Sequence, residues 1–209
     1  IDKSMAEKIK EYSLNIQDFK EYIEMWIHEA KLPLASLNLI VHNHKELSDK
    51  KITEQLKRLD DDIEQVLYYV RSENAEKDYL IKETEIAKVI SNVAIKNKDI
   101  LLENNIDFEV EVGNTKVLTD SKWLEFIVNQ IVSNSIKYIR NDVEHLIKIT
   151  TEENNKNVIL KIYDNGIGIS KSDIPKVFDK TFTGNNGRKI ETSTGMGLYI
   201  SKQLCKKLG

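Results

Sequence analysis

The chain has 209 residues, enough for one or two domains with a real buried core. Charged residues make up 31% and hydrophobic ones 40%, a globular balance, and 31 basic against 34 acidic side chains exclude a general nucleic-acid footprint. A single cysteine, Cys205, excludes an intrachain disulfide and a cysteine-based zinc site; the apolar runs fall far short of the ~20 residues that cross a bilayer, and no stretch reads as a signal peptide.

No glycine precedes Gly113, and Pro33 is the one proline before it. A glycine-free half with helical periodicity predicts long helices; the glycine-rich end predicts tight loops. Tyr12, Ile16, Phe19, Ile23, Trp26, Ala30, Pro33, Leu37, Ile40, His44 and Leu47 alternate steps of four and three, a heptad seam. Ile27, Leu34 and Val41 sit one residue after seam positions and widen the stripe. Ile52, Leu56, Leu59, Ile63, Val66 and Val70 repeat the pattern after a short polar link, which predicts an antiparallel neighbour. Two such helices bury too little apolar surface alone, so a homodimeric four-helix bundle is the expected completion.

From about Asn74 the pattern changes. Tyr79 to Glu83 reads as a strand, Glu85 to Glu103 as a helix, and Ile106 to Val112 and Lys116 to Thr119 as strands. Asp120 should cap a helix running to about Arg140. Leu146 to Thr150 and Val158 to Tyr163 form a predicted hairpin, Asn165 to Thr194 is loop-rich, and Gly195 to Leu208 is a final helix. Antiparallel strand pairs with helices on one face predict a two-layer α/β sandwich following the helical hairpin.

Four groups of residues could carry chemistry. His28 falls opposite the seam and is followed by Pro33, which disturbs the helix just past it. Read alone, it is equally a surface histidine beside a tolerated kink. Gln130, Asn134, Lys137 and Tyr138 share one helix face, where an amide oxygen suits Mg²⁺ and a lysine suits phosphate. Alone, they read as a solvated polar face. Asp164-Asn165-Gly166-Ile167-Gly168-Ile169 follows a predicted strand but matches neither a phosphate-binding P-loop nor a dinucleotide fingerprint. Its carboxylate could accept from the amino group of a base. Thr194-Gly195-Met196-Gly197-Leu198 opens a helix, where unpaired N–H groups favour an anion. Phe178 to Ser193, between the last two groups, reads as a mobile lid anchored by Phe178 and Phe182. His42, His44, His145 and Cys205 are read as structural or surface residues.

In this order the four groups resemble the catalytic core of the sensor histidine kinases of two-component systems. His28-Glu29-x-Lys31-x-Pro33-Leu34 is similar to the H box, Asn134-x-x-Lys137-Tyr138 to the N box and Asp164-x-Gly166-x-Gly168 to the G1 box. Phe178 to Phe182 is similar to the F box and Gly195-x-Gly197-Leu198 to the G2 box. The resemblance covers nearly the whole chain. It implies a dimerisation and histidine-phosphotransfer hairpin over residues 1–74. Residues 75–209 would form an ATP-binding catalytic domain of the Bergerat type, its closing strands lying beyond the sequence. Trp26, Gln130 and the Phe182 to Arg188 stretch look most like the small Gram-positive sensors of peptide antibiotics.

The family roles carry over by position. His28 would be the nucleophile, with Glu29 accepting from its ring N–H. Asn134 would hold the Mg²⁺ that bridges the ATP phosphates, with Gln130 keeping a Mg²⁺ or phosphate contact. Lys137 would meet phosphate and Tyr138 line the pocket, while Asp164 would take the adenine amino group. Gly166, Gly168, Gly195 and Gly197 would allow close approach, and Ile169 and Leu198 belong to the same nucleotide-binding set. The partner would be a response-regulator receiver domain, with no nucleic acid involved. The chain would be the cytoplasmic portion of a bacterial sensor that reaches the membrane only through upstream segments. Three departures stand out: Gln130 in place of a first Asn, Ser193 in place of a G2 glycine, and Leu32 where phosphatase-competent relatives carry Thr or Asn. A degenerate scaffold that binds ATP and a regulator without autophosphorylation is the alternative. Another Bergerat ATPase is disfavoured, because those lack the histidine hairpin.

Overall fold

The chain, seen in a computed structural model, separates into two compact units, Ile1–Ala75 and Glu76–Gly209. The structure describes residues 5, 12, 14, 16, 19, 23, 27, 30–32, 34–43, 50–73, 79–140, 142–154, 157–184 and 194–208. His28 and Glu29, with Trp26, Pro33, His44 and Leu47 of the predicted seam and residues 185–193 of the predicted lid, lie outside the described residues.

In the first unit every described residue from 5 to 43 is helical, and α1 (Lys50–Glu73) follows. Ile27, Leu34, Ile63 and Leu67 form its buried cluster, joined by partly buried Ile23, Ala30 and Leu56. Ile63, Ile23, Ala30 and Leu56 are seam positions, and Ile27 and Leu34 are the residues expected to widen the stripe, so the cluster draws on both. Ile27 and Leu34 are 0% and 3% exposed, whereas the seam residues Tyr12 and Phe19 are 74% and 64% exposed. Leu37, Ile40, Ile52, Leu59 and Val66 are exposed as well. Ile27, Leu34 and Leu67 each sit one residue after a seam position. A helix stripe faces one direction only; within one chain the neighbouring helix covers one edge of the widened stripe and leaves the other seam residues outside. Among the described residues, no helix is long and apolar enough to cross a membrane.

The second unit runs β1 (Lys82–Glu85), α2 (Ile86–Lys96), α3 (Lys98–Glu103), β2 (Ile106–Glu111), β3 (Lys116–Thr119), α4 (Ser121–Lys137), β4 (His145–Glu153) and β5 (Val158–Asp164). A short 3-10 turn, Ile174–Lys176, and α5 (Gly197–Leu208) complete it. β1 pairs with β3 in an antiparallel ribbon, and a second sheet has the order β2-β4-β5. β4 and β5 form the expected antiparallel hairpin, with Ile147 opposite Asp164. β2 pairs with β4 in parallel, which corrects the expectation of antiparallel pairs throughout. A parallel pair needs a long crossover, and α4 lies in the chain between these two strands.

Helices α2, α3 and α4 share one core with the sheet, built from Val89, Ile90, Val93, Leu101, Val128, Val132, Ile147 and Ile149 among others. Ile159 and Tyr163 of β5 are exposed. The two-layer expectation holds in the form of helices packed on a mixed sheet. Two predicted elements shift. The strand expected at Tyr79 to Glu83 begins only at Lys82. The single helix expected from Glu85 to Glu103 breaks at Asn97, whose buried amide donates to the Val93 carbonyl at 2.9 Å and to Asn129 Oδ1 at 2.8 Å. A short amide side chain that bonds back to the preceding turn competes with helix continuation.

Candidate functional site

The site is assembled around α4. Asp120 caps this helix as expected, its carboxylate accepting from the N–H groups of Lys122 at 2.8 Å and Trp123 at 3.0 Å. It also accepts from the N–H of Leu80 at 2.8 Å. Tyr79 adds a tilted ring contact to Trp123, 5.3 Å between centroids. The chain entering β1 is thus fastened to the start of the helix. Along α4, Val128, Val132 and Ile136 recur every fourth residue and are buried in the core. Gln130, Asn134, Lys137 and Tyr138 remain half-buried on the polar side, as their spacing predicts. The Lys137 ammonium lies 5.9 Å from the Tyr138 ring centroid.

The end of α4 is joined directly to the loop after β5. The Tyr138 carbonyl accepts from the Ile167 N–H at 2.9 Å. Gly166 is required between them, because a Cβ there would lie 2.5 Å from the Tyr138 oxygen and 2.8 Å from Asp164 Oδ1. Asp164, the last residue of β5, accepts at Oδ1 from the Gly166 N–H, 2.9 Å, and at Oδ2 from the Ser135 hydroxyl, 3.3 Å. Asn165 secures the same turn. Its Oδ1 accepts from the Leu146 N–H at 2.9 Å and its Nδ2 donates to the Glu144 carbonyl at 2.7 Å. Gly168 faces open space, and Ile169 is exposed beyond it.

A second junction joins the predicted F and G2 segments. Gly195 has φ +67, and a Cβ on it would lie 2.5 Å from the Thr181 carbonyl carbon and 2.7 Å from the Phe182 oxygen. Thr181 itself adopts a positive φ of 61. The Met196 N–H donates to the Thr194 hydroxyl at 3.3 Å, and Gly197 then opens α5, followed by half-buried Leu198. Ile200 and Leu204 of α5 are fully buried, and α5 packs against α4. Lys202 places its ammonium 5.3 Å from the Phe178 ring centroid, tying α5 to the F segment.

The N and G1 residues therefore meet directly, and the F and G2 residues meet directly. The α4–α5 contact connects the two halves. Ser135, Asn165 and the backbone at Tyr138 and Thr181 were not singled out from the sequence. Ser135 carried a signal, since it falls beside the stripe of Val128, Val132 and Ile136, and a hydroxyl at a core position needs a partner. An open cavity of about 490 Å³ lined by Glu111, Gly113, Thr115, Thr151 and Glu153 lies at the β2–β3 turn. Two carboxylates there are unsuited to a phosphorylated ligand. His145 packs its ring nitrogens against the Asn104 and Arg140 carbonyls, and His42 is exposed. Burial pushes the Cys205 thiol above its ordinary pKa, which disfavours the nucleophilic thiolate.

Residues 119–209 match the family described as histidine kinase-, DNA gyrase B-, and HSP90-like ATPase. The chain is 29% identical over 204 residues to the sensor histidine kinase YxdK of Bacillus subtilis, covering 97% of this chain and 62% of the relative. It is 31% identical over 205 residues to the sensor protein kinase GraS of Staphylococcus aureus, covering 97% of this chain and 58% of the relative. The chain thus spans about three-fifths of the length of these curated relatives. The Acinetobacter baumannii histidine kinase AdeS has the same fold, with a TM-score of 0.58 at 23% identity over 86% of both chains. Residues 119–209 therefore carry an ATPase domain of the histidine kinase-, DNA gyrase B- and HSP90-like family, and the chain is a homologue of sensor histidine kinases.

Proposed function

We propose that this chain is the catalytic portion of an ATP-dependent protein-histidine kinase that autophosphorylates His28 and passes the phosphoryl group to an aspartate of a response-regulator receiver domain. The observation that carries the reading is the Asp164 carboxylate, held by Ser135 and Gly166 beside the end of α4. A carboxylate offers about four acceptor positions, so two bonds leave room for the amino group of adenine. Asn134 and Lys137, one and two turns from Gln130 on the same face of α4, suit the phosphate end. Mg²⁺ keeps several waters and phosphate oxygens and needs only one or two protein oxygens; the Asn134 amide would supply one, with Gln130 keeping a Mg²⁺ or phosphate contact. When bound, the ion neutralises charge on the phosphates.

The reaction is an in-line transfer governed by positioning and charge neutralisation. A ring nitrogen of His28 attacks the γ-phosphorus, the bond to the bridging oxygen breaks, and ADP departs with that oxygen. Glu29 accepts from the other ring N–H and leaves the attacking nitrogen unprotonated. Gly166, Gly168, Gly195 and Gly197, with Tyr138, Ile169 and Leu198, form the nucleotide-binding wall.

The functional unit is a homodimer. Its support is the exposed stripe of Tyr12, Phe19, Leu37, Ile40, Ile52, Leu59 and Val66 on a hairpin that already has its own internal cluster. The cellular setting is the cytoplasmic side of a membrane-anchored bacterial sensor of the Gram-positive peptide-antibiotic group. Incubation with γ-labelled ATP and Mg²⁺ tests the whole reading. The expected product is acid-labile, base-stable label that disappears in His28→Gln while nucleotide binding persists. Bound ATP without label would select the scaffold alternative, and released phosphate without label would select a simple ATPase.

A further inference from the structure

Ser135 is 4% exposed on α4, and its hydroxyl lies 3.3 Å from Asp164 Oδ2 and 3.1 Å from the Ile131 carbonyl. A hydroxyl has one proton to donate. The carboxylate is charged, whereas the Ile131 carbonyl is neutral and already belongs to the helical ladder; the charged acceptor makes the stronger bond. The other carboxylate oxygen is held by the Gly166 N–H at 2.9 Å. Two donors from different elements, one on α4 and one in the loop after β5, therefore fix the rotation of the Asp164 carboxylate. Asp164 is exposed, so without Ser135 a single tether would leave that carboxylate free to turn toward water.

We infer that Ser135 is a positioning residue that orients Asp164 and thereby sets the preference for a purine bearing an exocyclic 6-amino group. This rests on the reading of Asp164 as the adenine-binding carboxylate. Ser135 follows Asn134 directly, so one helix supplies both the amide for the phosphate end and the hydroxyl that steadies the base end. Any shift of α4 along its axis would be felt at both ends of the nucleotide together.

The test measures equilibrium binding of ATP and of purine riboside triphosphate, which lacks the amino group, to the full chain. Ser135→Ala should weaken ATP about three- to tenfold, the range of one intramolecular hydrogen bond, and leave purine riboside triphosphate unchanged. Asp164→Asn should remove the ATP preference, and adding Ser135→Ala to it should cost nothing further. Ser135→Thr, which retains the hydroxyl, should restore the preference. Equal weakening of both nucleotides by Ser135→Ala would show a merely structural role and overturn the inference. So would an unchanged preference in Ser135→Ala while Asp164→Asn abolishes it. If Asp164→Asn itself keeps the preference, the adenine reading of that carboxylate falls first and takes this inference with it.

Discussion

The two units handle apolar surface in opposite ways. In Glu76–Gly209 helices and sheet share an extended buried cluster, with Val93, Val132 and Ile149 fully buried, and Ile95, Leu102 and Leu118 are left exposed around it. In Ile1–Ala75 the buried cluster is small, and a longer run of aromatic and aliphatic residues on both helical segments stays exposed. The α/β unit closes on itself because a sheet offers a broad face for helices to cover. A pair of helices has no such face. Each helix satisfies its neighbour with one stripe and presents a second, which is why the proposed homodimer belongs to this unit alone.

Ile149→Ala should be the most damaging change. Removing methyl groups from a fully buried site costs about 2–5 kcal/mol against a total stability of roughly 5–15 kcal/mol. Denaturant unfolding should show the loss at every protein concentration, because this core needs no second chain. A midpoint that recovers at high concentration would overturn the contrast between the units.

Leu59→Asp tests the other side. Leu59 is exposed in one chain, so in an isolated hairpin the change should be worth within about 0.5 kcal/mol. In a dimer it places an unpaired charge in an apolar seam. Light scattering should report monomer, with nucleotide binding retained. A variant that remains dimeric would remove the exposed stripe as the interface.

Gly195→Ala acts within the α/β unit but outside its core. The positive φ costs a side chain roughly 1–2 kcal/mol, and the new Cβ meets the Thr181 and Phe182 backbone. ATP affinity should fall by about tenfold in a titration while the dimer persists. Unchanged affinity would show that the junction at Phe182 does not shape the nucleotide site.

Leu32→Thr should be nearly silent in stability, within about 0.5 kcal/mol, since Leu32 is 71% exposed. Its effect should be on chemistry. Leucine has no donor or acceptor for a water aligned on a regulator aspartyl-phosphate. The nearby Ser36 hydroxyl donates to the Leu32 carbonyl at 3.1 Å. Wild-type protein with ADP should dephosphorylate a phosphorylated regulator slowly, and the variant faster. Equal, fast rates would remove Leu32 as the limiting residue.

Much of this was legible in residue order because the signals are local. Asp120 as a helix cap, the β4–β5 hairpin and the shared face of Gln130, Asn134, Lys137 and Tyr138 each depend on residues a few positions apart. Periodicity also marked two apolar helices, but not which part of the widened stripe their own cluster uses: Ile27, Leu34, Ile63 and Leu67 are buried, while Leu37, Leu59 and Val66 are exposed. Spacing describes how wide a stripe is, and the neighbour that packs against it selects which edge is buried. Asn97 was read as one more helical position because its partner, Asn129, is 32 residues away.

Residue types and spacing were enough to specify the apolar helices, the α/β unit and the polar face of α4, since propensity, capping and side-chain chemistry act over short stretches of chain. The parallel β2–β4 pairing, the Ser135–Asp164 bond and the contact of Gly195 with Thr181 and Phe182 exist only once distant segments meet. Each depends on which surfaces remain to be covered after the local elements have formed, and packing of the whole unit is what resolves that.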